Sequence, residues 1–154
     1  MKIISVDIEG VGGIRSLSLD FNSRFNVICG PNGVGKTTLL ESISHSFVYD
    51  NSNILHRNIN HDVGSVTVDF THQDKSQQSI IEVKNYEADT PESIQSQGYQ
   101  FSEYILPIKI ARYLNYQKLG GISRDPDKNE STSRKEAVNG IQFHDVKTWL
   151  VNRH

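Results

Sequence analysis

A glycine-rich segment constrains this chain more than any other feature of its sequence. Residues 30–37 read Gly-Pro-Asn-Gly-Val-Gly-Lys-Thr and fit the pattern G-x-x-x-x-G-K-[ST] at every fixed position. The apolar run of residues 25–29 precedes this segment, and apolar residues at helical spacing follow it to about residue 48. This order predicts a buried strand, a loop and a helix. The predicted fold is therefore α/β, with a mixed sheet around that helix.

The glycine pattern also predicts a phosphate-binding loop. Glycines let the backbone approach phosphate oxygens closely, and successive N–H groups then form a concave nest for anions. The following helix adds unpaired N–H groups and the positive end of its dipole. We expect Lys36 to reach the β- and γ-phosphates of ATP and the Thr37 hydroxyl to ligate Mg²⁺. The predicted nucleotide contacts are Gly30, Asn32, Gly33, Val34, Gly35, Lys36, Thr37 and Thr38.

Outside the glycine loop, the sequence predicts mainly strands and loops. Alternation of apolar and polar residues predicts strands at residues 2–9, 14–21, 65–70, 79–84 and 104–111, with the third and fourth forming a hairpin. Polar residues 120–140 predict a mobile loop. Helical spacing of apolar residues in 143–150 has no stop signal before His154. We therefore expect residues 1–154 to form one nucleotide-binding lobe, the N-terminal part of a longer protein.

Composition and charge restrict where such a chain works. The net charge of −2 gives no overall attraction to nucleic acid or membrane. The single cysteine, Cys29, lies in an apolar run and is expected to be a small core residue. No apolar stretch approaches the roughly 18 residues of a membrane span, and Asp7 and Glu9 interrupt the region where a secretory signal would be apolar. We expect a cytoplasmic protein with no membrane contact.

The loop and its flanks resemble a known family. The string VICGPNGVGKTTLLESI, preceded by ISVDIEGVGGIRSLSLDF, resembles the N-terminal lobe of ABC-type ATPases of the SMC, RecF and OLD kind. Asn32 stands at the asparagine of their G-x-N-G-x-G-K-[ST]-T loop. Residues 104–154 resemble, more weakly, stretches of bacterial AAA-like proteins. The resemblance implies an ATPase whose paired heads close two nucleotide sites, often coupled to DNA repair or phage defence, with DNA as an implied partner.

Catalytic parts of that family are missing from this chain. Its members need Asp-Glu after a long apolar strand, together with a signature motif, and the chain has neither. The residue most similar to that aspartate is Asp69, but it lies in a run that alternates like a surface strand. The resemblance implies a glutamine loop, for which Gln117 is the candidate start and a candidate Mg²⁺ ligand beside Thr37; the alternative is that Gln117 is an ordinary polar surface residue. We expect this chain to bind ATP and to hydrolyse it slowly or not at all, and the whole protein to be an ATPase.

Other interpretations stay open at this point. A P-loop kinase or GTPase shares the loop, but the guanine motif N-K-x-D is missing and no arginine-rich lid is evident. A nucleotide-gated interaction module would bind ATP without hydrolysing it. His56, His61 and Asp62 have a spacing that suits no common zinc site. Aromatic residues alternate with basic ones over 99–118, which suits either single-stranded nucleic acid or the two faces of a strand.

Overall fold

The computed structural model describes residues 1–48, 50–52, 54–86, 92–94, 96–108, 131–132 and 135. Its named elements are, in chain order, β1 (Lys2–Val11), β2 (Ile14–Asp20), α1 (Lys36–His45), β3 (Asp50–Ser52), β4 (Gly64–His72), β5 (Lys75–Val83), β6 (Glu92–Ile94) and the 3₁₀ helix Tyr99–Tyr104. In the part of the chain that the structure describes, no helix has the length and apolar character that a membrane crossing requires.

The main sheet has four strands in the order β2-β1-β4-β5, and each neighbouring pair is antiparallel. β3 and β6 form a separate antiparallel pair. The expected mixed sheet is therefore wrong for the described residues, because the strand that was to precede the glycine loop does not join the sheet. The predicted β4–β5 hairpin is confirmed. Its two-residue turn, Gln73 and Asp74, has φ of 50° and 60°, the geometry that matches the twist of a hairpin.

The core lies on one face of this sheet. Alternate residues of three strands point to that face and are buried: Val6, Ile8, Val66, Val68, Phe70, Ile81 and Val83. Leu39 of α1 and Phe47 just beyond it pack into the same cluster. Phe70 packs edge to face against Phe47 and Phe101, with ring centroids 5.1 and 5.0 Å apart. Phe70 thus joins the sheet to the end of α1 and to the 3₁₀ helix.

Residues 25–29 do not form the predicted buried strand. Phe25 and Val27 are 77% and 67% exposed. Cys29 is exposed as well, so its prediction as a core residue is wrong. None of the described strands pairs with this run. An apolar run needs a neighbouring strand to satisfy its backbone N–H and C=O groups before it can be buried, and the described residues offer none here.

Two other elements depart from prediction. α1 ends at His45 rather than near residue 48, because the N–H groups of Phe47 and Val48 donate three residues back and tighten the last turn. The predicted strand at 104–111 is wrong for residues 104–108. The 3₁₀ helix ends there, and the segment that follows joins none of the described strands; its Pro107 has no N–H to donate to a sheet. Gln117, most of the predicted 120–140 loop and the predicted C-terminal helix lie outside the described residues.

Candidate functional site

Helix α1 begins directly after the glycine loop, and its N-terminus has no side-chain cap. The N-cap residue is Gly35, with φ 97° and ψ 12°, and the first helical turn contains no acidic residue. The first i→i−4 bond runs from the N–H of Leu39 to the carbonyl of Gly35, at 2.8 Å. The N–H groups of residues 35–38 therefore have no intrahelical partner. Such a helix end attracts an anion.

The loop presents its backbone to solvent. Residues 30–34 and Thr37 are exposed, while Gly35, Lys36 and Thr38 are partly buried. At Gly33, no atom lies within 4 Å of the place that a β-carbon would occupy. The backbone at Gly33 is therefore open to an approaching ligand.

Lys36 folds back over the loop. Its Nζ donates to the carbonyl oxygens of Gly30 and Pro31, at 2.8 and 2.7 Å. These acceptors are neutral, and an ammonium bonds more strongly to a charged oxygen. An anion that enters the loop can therefore compete with the two carbonyls for the Lys36 ammonium.

The turn between β1 and β2 packs against the loop and the helix start. A β-carbon on Gly35 would lie 2.8 Å from Cγ1 of Ile14, the first residue of β2. A β-carbon on Gly12 would lie 3.1 Å from Cγ2 of Thr38. At these two glycines the turn and the start of α1 are too close for a further β-carbon. The turn therefore packs directly against the end of the loop and the first turn of α1.

Replacing Gly35 with alanine should damage both the fold and the site. The new β-carbon would collide with Ile14 and would occupy the left-handed region at φ 97°. Strain and overpacking together should lower the free energy of unfolding by about 2 kcal/mol, measured by urea denaturation. Gly13→Ala is the matched control, because that site has open space and no positive φ; it should change stability by less than about 0.5 kcal/mol. Equal losses in the two variants would contradict the packing described here.

Several other residues singled out by the sequence do not join the loop. Asp69 lies on the sheet face opposite the core, and its carboxylate accepts hydrogen bonds from Ser5 at 3.0 Å and Gln78 at 2.8 Å. Within the described residues, no group of three His, Cys, Asp or Glu side chains could hold a metal ion, so His56, His61 and Asp62 form no such cluster. The proposed pairing of Thr37 with Gln117 concerns a residue beyond the described ranges.

Residues 56–61 hold the β1–β2 turn, a role that sequence reasoning missed. The N–H of Gly12 donates to the carbonyl of His56 at 2.6 Å, and the N–H of Asn58 donates to that of Gly10 at 2.7 Å. The Asn58 side chain also donates to the Gly12 carbonyl, at 2.8 Å. This segment has no apolar period to mark it. The sequence marks it only by asparagine, a residue that favours turns. In the structure the N–H of Asn60 donates to Oδ1 of Asn58 at 3.0 Å.

The sequence of the chain is similar to those of several known proteins. A family model described as AAA domain matches residues 5–148. The Septu protein PtuA of Bacillus thuringiensis is 35% identical over 154 residues, covering 99% of this chain and 39% of PtuA. The DNA replication and repair protein RecF of Psychromonas ingrahamii is 49% identical over 43 residues, or 28% of this chain and 12% of RecF. RecF of Francisella tularensis subsp. mediasiatica is 42% identical over 64 residues, or 40% and 18%.

An exposed glycine loop ahead of an uncapped helix, together with these relatives, defines the N-terminal lobe of an ABC/SMC-like P-loop ATPase. The chain belongs to the AAA domain family. The resemblance seen in the sequence is thereby confirmed. The chain spans about two fifths of the length of PtuA and less than a fifth of either RecF.

Proposed function

We propose that residues 30–38 bind the phosphates of Mg-ATP. The observation that supports this most is a juxtaposition. The N–H groups of residues 35–38 have no intrahelical partner, and the Lys36 ammonium lies over the same loop, 2.7 to 2.8 Å from two carbonyls. Converging N–H groups and one fixed cation are the donors that a polyphosphate requires. The residues present therefore fit the ligand.

Each residue of the loop has a role set by its place. The backbone from Gly30 to Gly35, including Asn32, Gly33 and Val34, would surround the β-phosphate, and Lys36 would exchange its carbonyls for β- and γ-phosphate oxygens. The exposed Thr37 hydroxyl would ligate Mg²⁺, which neutralises phosphate charge when bound. Thr38, beneath Gly12, would donate to the α-phosphate. Gln117 is proposed as a second Mg²⁺ ligand.

We propose ATP hydrolysis for a longer protein that contains these residues, rather than for these residues alone. Phosphoryl transfer needs a carboxylate that positions the attacking water and completes the metal shell. Asp69, the nearest candidate, is occupied by Ser5 and Gln78 on the far face of the sheet. Since the chain spans 39% of PtuA, a larger protein has room for the missing parts. We propose a cytoplasmic ATPase with paired heads that acts in DNA repair or phage defence, with DNA as a partner.

A comparison of turnover tests this division of labour. Phosphate release from Mg-ATP should be undetectable for residues 1–154, while nucleotide binding to the same sample raises its melting temperature. A longer protein that contains residues 1–154 should release phosphate, and Lys36→Ala in that protein should abolish the release. Binding without turnover in both proteins would instead favour a nucleotide-gated interaction module. Turnover by residues 1–154 that depends on Lys36 would show that the catalytic groups lie in this chain after all.

A further inference from the structure

We propose that Asn58 is a positioning residue of the nucleotide site. It fixes the β1–β2 turn over Thr38 and so holds the first turn of α1 in the geometry that receives phosphate. This inference rests on the proposed binding of Mg-ATP at residues 30–38. Asn58 itself lies outside every helix and strand and is only half-buried, so its role comes from the bonds that it makes.

The first link runs from Asn58 to the turn. Its Nδ2 donates to the Gly12 carbonyl at 2.8 Å, and its backbone N–H donates to the Gly10 carbonyl at 2.7 Å. The N–H of Gly12 is bonded to the carbonyl of His56 at 2.6 Å. Both polar backbone groups of Gly12 are therefore bonded to residues 56–58. Gly12 adopts φ 55°, and these bonds hold it in that conformation.

The second link runs from the turn to the site. Gly12 approaches the Thr38 methyl so closely that an added β-carbon would lie 3.1 Å from it, and Ile14 approaches Gly35 still more closely. Groups packed this closely transmit displacements rather than absorb them. A turn released from Asn58 would therefore change the position of Thr38 and of the N–H groups beside it.

The third link runs from Asn58 to the rest of the fold, through the hydrogen bonds of Arg57. The neighbouring Arg57 donates from its backbone N–H to Asn85 at 2.9 Å, from Nε to the Lys84 carbonyl at 3.0 Å, and from Nη1 to the His61 carbonyl at 2.8 Å. Its guanidinium also lies over the Tyr86 ring, 5.4 Å from the centroid. Because Arg57 anchors the segment to the residues after β5, the Asn58 amide has a fixed place from which to hold Gly12.

Asn58→Asp tests the inference with the smallest change of shape. It removes the donor to Gly12 but keeps the oxygen that accepts from Asn60. Calorimetric titration with Mg-ATP at pH 7 should show binding about five- to tenfold weaker than in the wild type, the cost of about one hydrogen bond. Asn60→Asp introduces the same carboxylate at an exposed position two residues away, and its affinity should stay within about twofold of the wild type.

A pH series separates positioning from a general loss of structure. Near the ordinary aspartic pKa of about 4, the introduced carboxyl gains an O–H that can donate to Gly12. The ratio of the Asn58→Asp dissociation constant to that of the wild type should therefore fall toward one as the pH is lowered from 7 to 4.5. The same ratio for Asn60→Asp should stay constant. A loss of affinity in Asn58→Asp that does not change with pH would overturn the positioning role.

The other possible outcomes distinguish failure of this inference from failure of the proposed function. Wild-type affinity in Asn58→Asp at pH 7, with binding abolished in Lys36→Ala, would overturn this inference and leave the proposed function intact. Wild-type affinity in Lys36→Ala would overturn the proposed function itself. If Asn58→Asp fails to fold by circular dichroism, Gly12→Ala replaces it, with Gly13→Ala as control. Binding should then be about fivefold weaker in the first only, and equal affinities would overturn the inference.

Discussion

Replacing Lys36 with alanine should weaken the binding of Mg-ATP at least about 100-fold, because each hydrogen bond from a charged group contributes roughly 1.5–3 kcal/mol. Lys36 is the only cation in the loop sequence, residues 30–37, and its Nζ already lies over the carbonyls of Gly30 and Pro31. Its removal would leave the phosphates only neutral donors from residues 30–38, namely backbone N–H groups and the Thr38 hydroxyl. Titration calorimetry at fixed ionic strength measures the change directly.

A control must show that this loss belongs to the site. Lys75 is exposed and is the first residue of β5, just after the hairpin turn. Lys75→Ala changes the net charge by the same amount and should leave the dissociation constant within about twofold of the wild type. Lys36→Ala should also keep a melting temperature close to that of the wild type without nucleotide. A Lys36→Ala variant that binds Mg-ATP as the wild type does would remove Lys36 from the site.

Replacing Phe70 with alanine should lower the free energy of unfolding by about 3–5 kcal/mol, the usual cost of removing a buried aromatic ring. Phe70 is 1% exposed, and its ring contacts those of Phe47 and Phe101. Those partners come from the turn that follows α1 and from the 3₁₀ helix, so the cavity would separate three elements. Urea denaturation followed by circular dichroism gives the value. Because domains of this size are marginally stable, we expect the variant to be largely unfolded at 37 °C.

Phe25→Ala is the same substitution at the opposite extreme of burial. Phe25 is 77% exposed, so its removal should change the free energy of unfolding by less than about 0.5 kcal/mol. The pair therefore also tests the most conspicuous difference between the predicted and the observed fold. A loss in Phe25→Ala as large as that in Phe70→Ala would mean that residues 25–29 are buried after all, as their composition predicts.

Local patterns in the sequence predicted those parts of the fold that depend on local physics. Alternation placed β1, β4 and β5 because one face of each strand lies on the core and the other faces solvent. Helical spacing and the glycine pattern placed the start of α1 at Lys36. Residues 25–29 could not be placed in this way. Their apolar character signals burial, but burial depends on a neighbouring strand that no local pattern reveals.

In the candidate site, too, local sequence patterns predicted the contiguous residues but not the distant one. The glycine loop is contiguous, so a single motif names every residue from Gly30 to Thr38 that we propose to bind the nucleotide. Asn58 escapes such reasoning because its bond to Gly12 spans 46 positions of the sequence. The sequence of an asparagine-rich segment does not indicate which asparagine forms a hydrogen bond with a distant turn. Only the packed structure brings the two together, and it places them beside Thr38.

The most direct test of the central claim is a competition experiment on the wild-type chain. Mg-ATP should bind calorimetrically to one site, and inorganic triphosphate should compete for that site, because the loop and Lys36 contact phosphate rather than base or sugar. Adenosine, which carries no phosphate, should not compete at the same concentration. Competition by adenosine without competition by triphosphate, or no binding heat with Mg-ATP at several temperatures, would contradict a loop built to hold a polyphosphate.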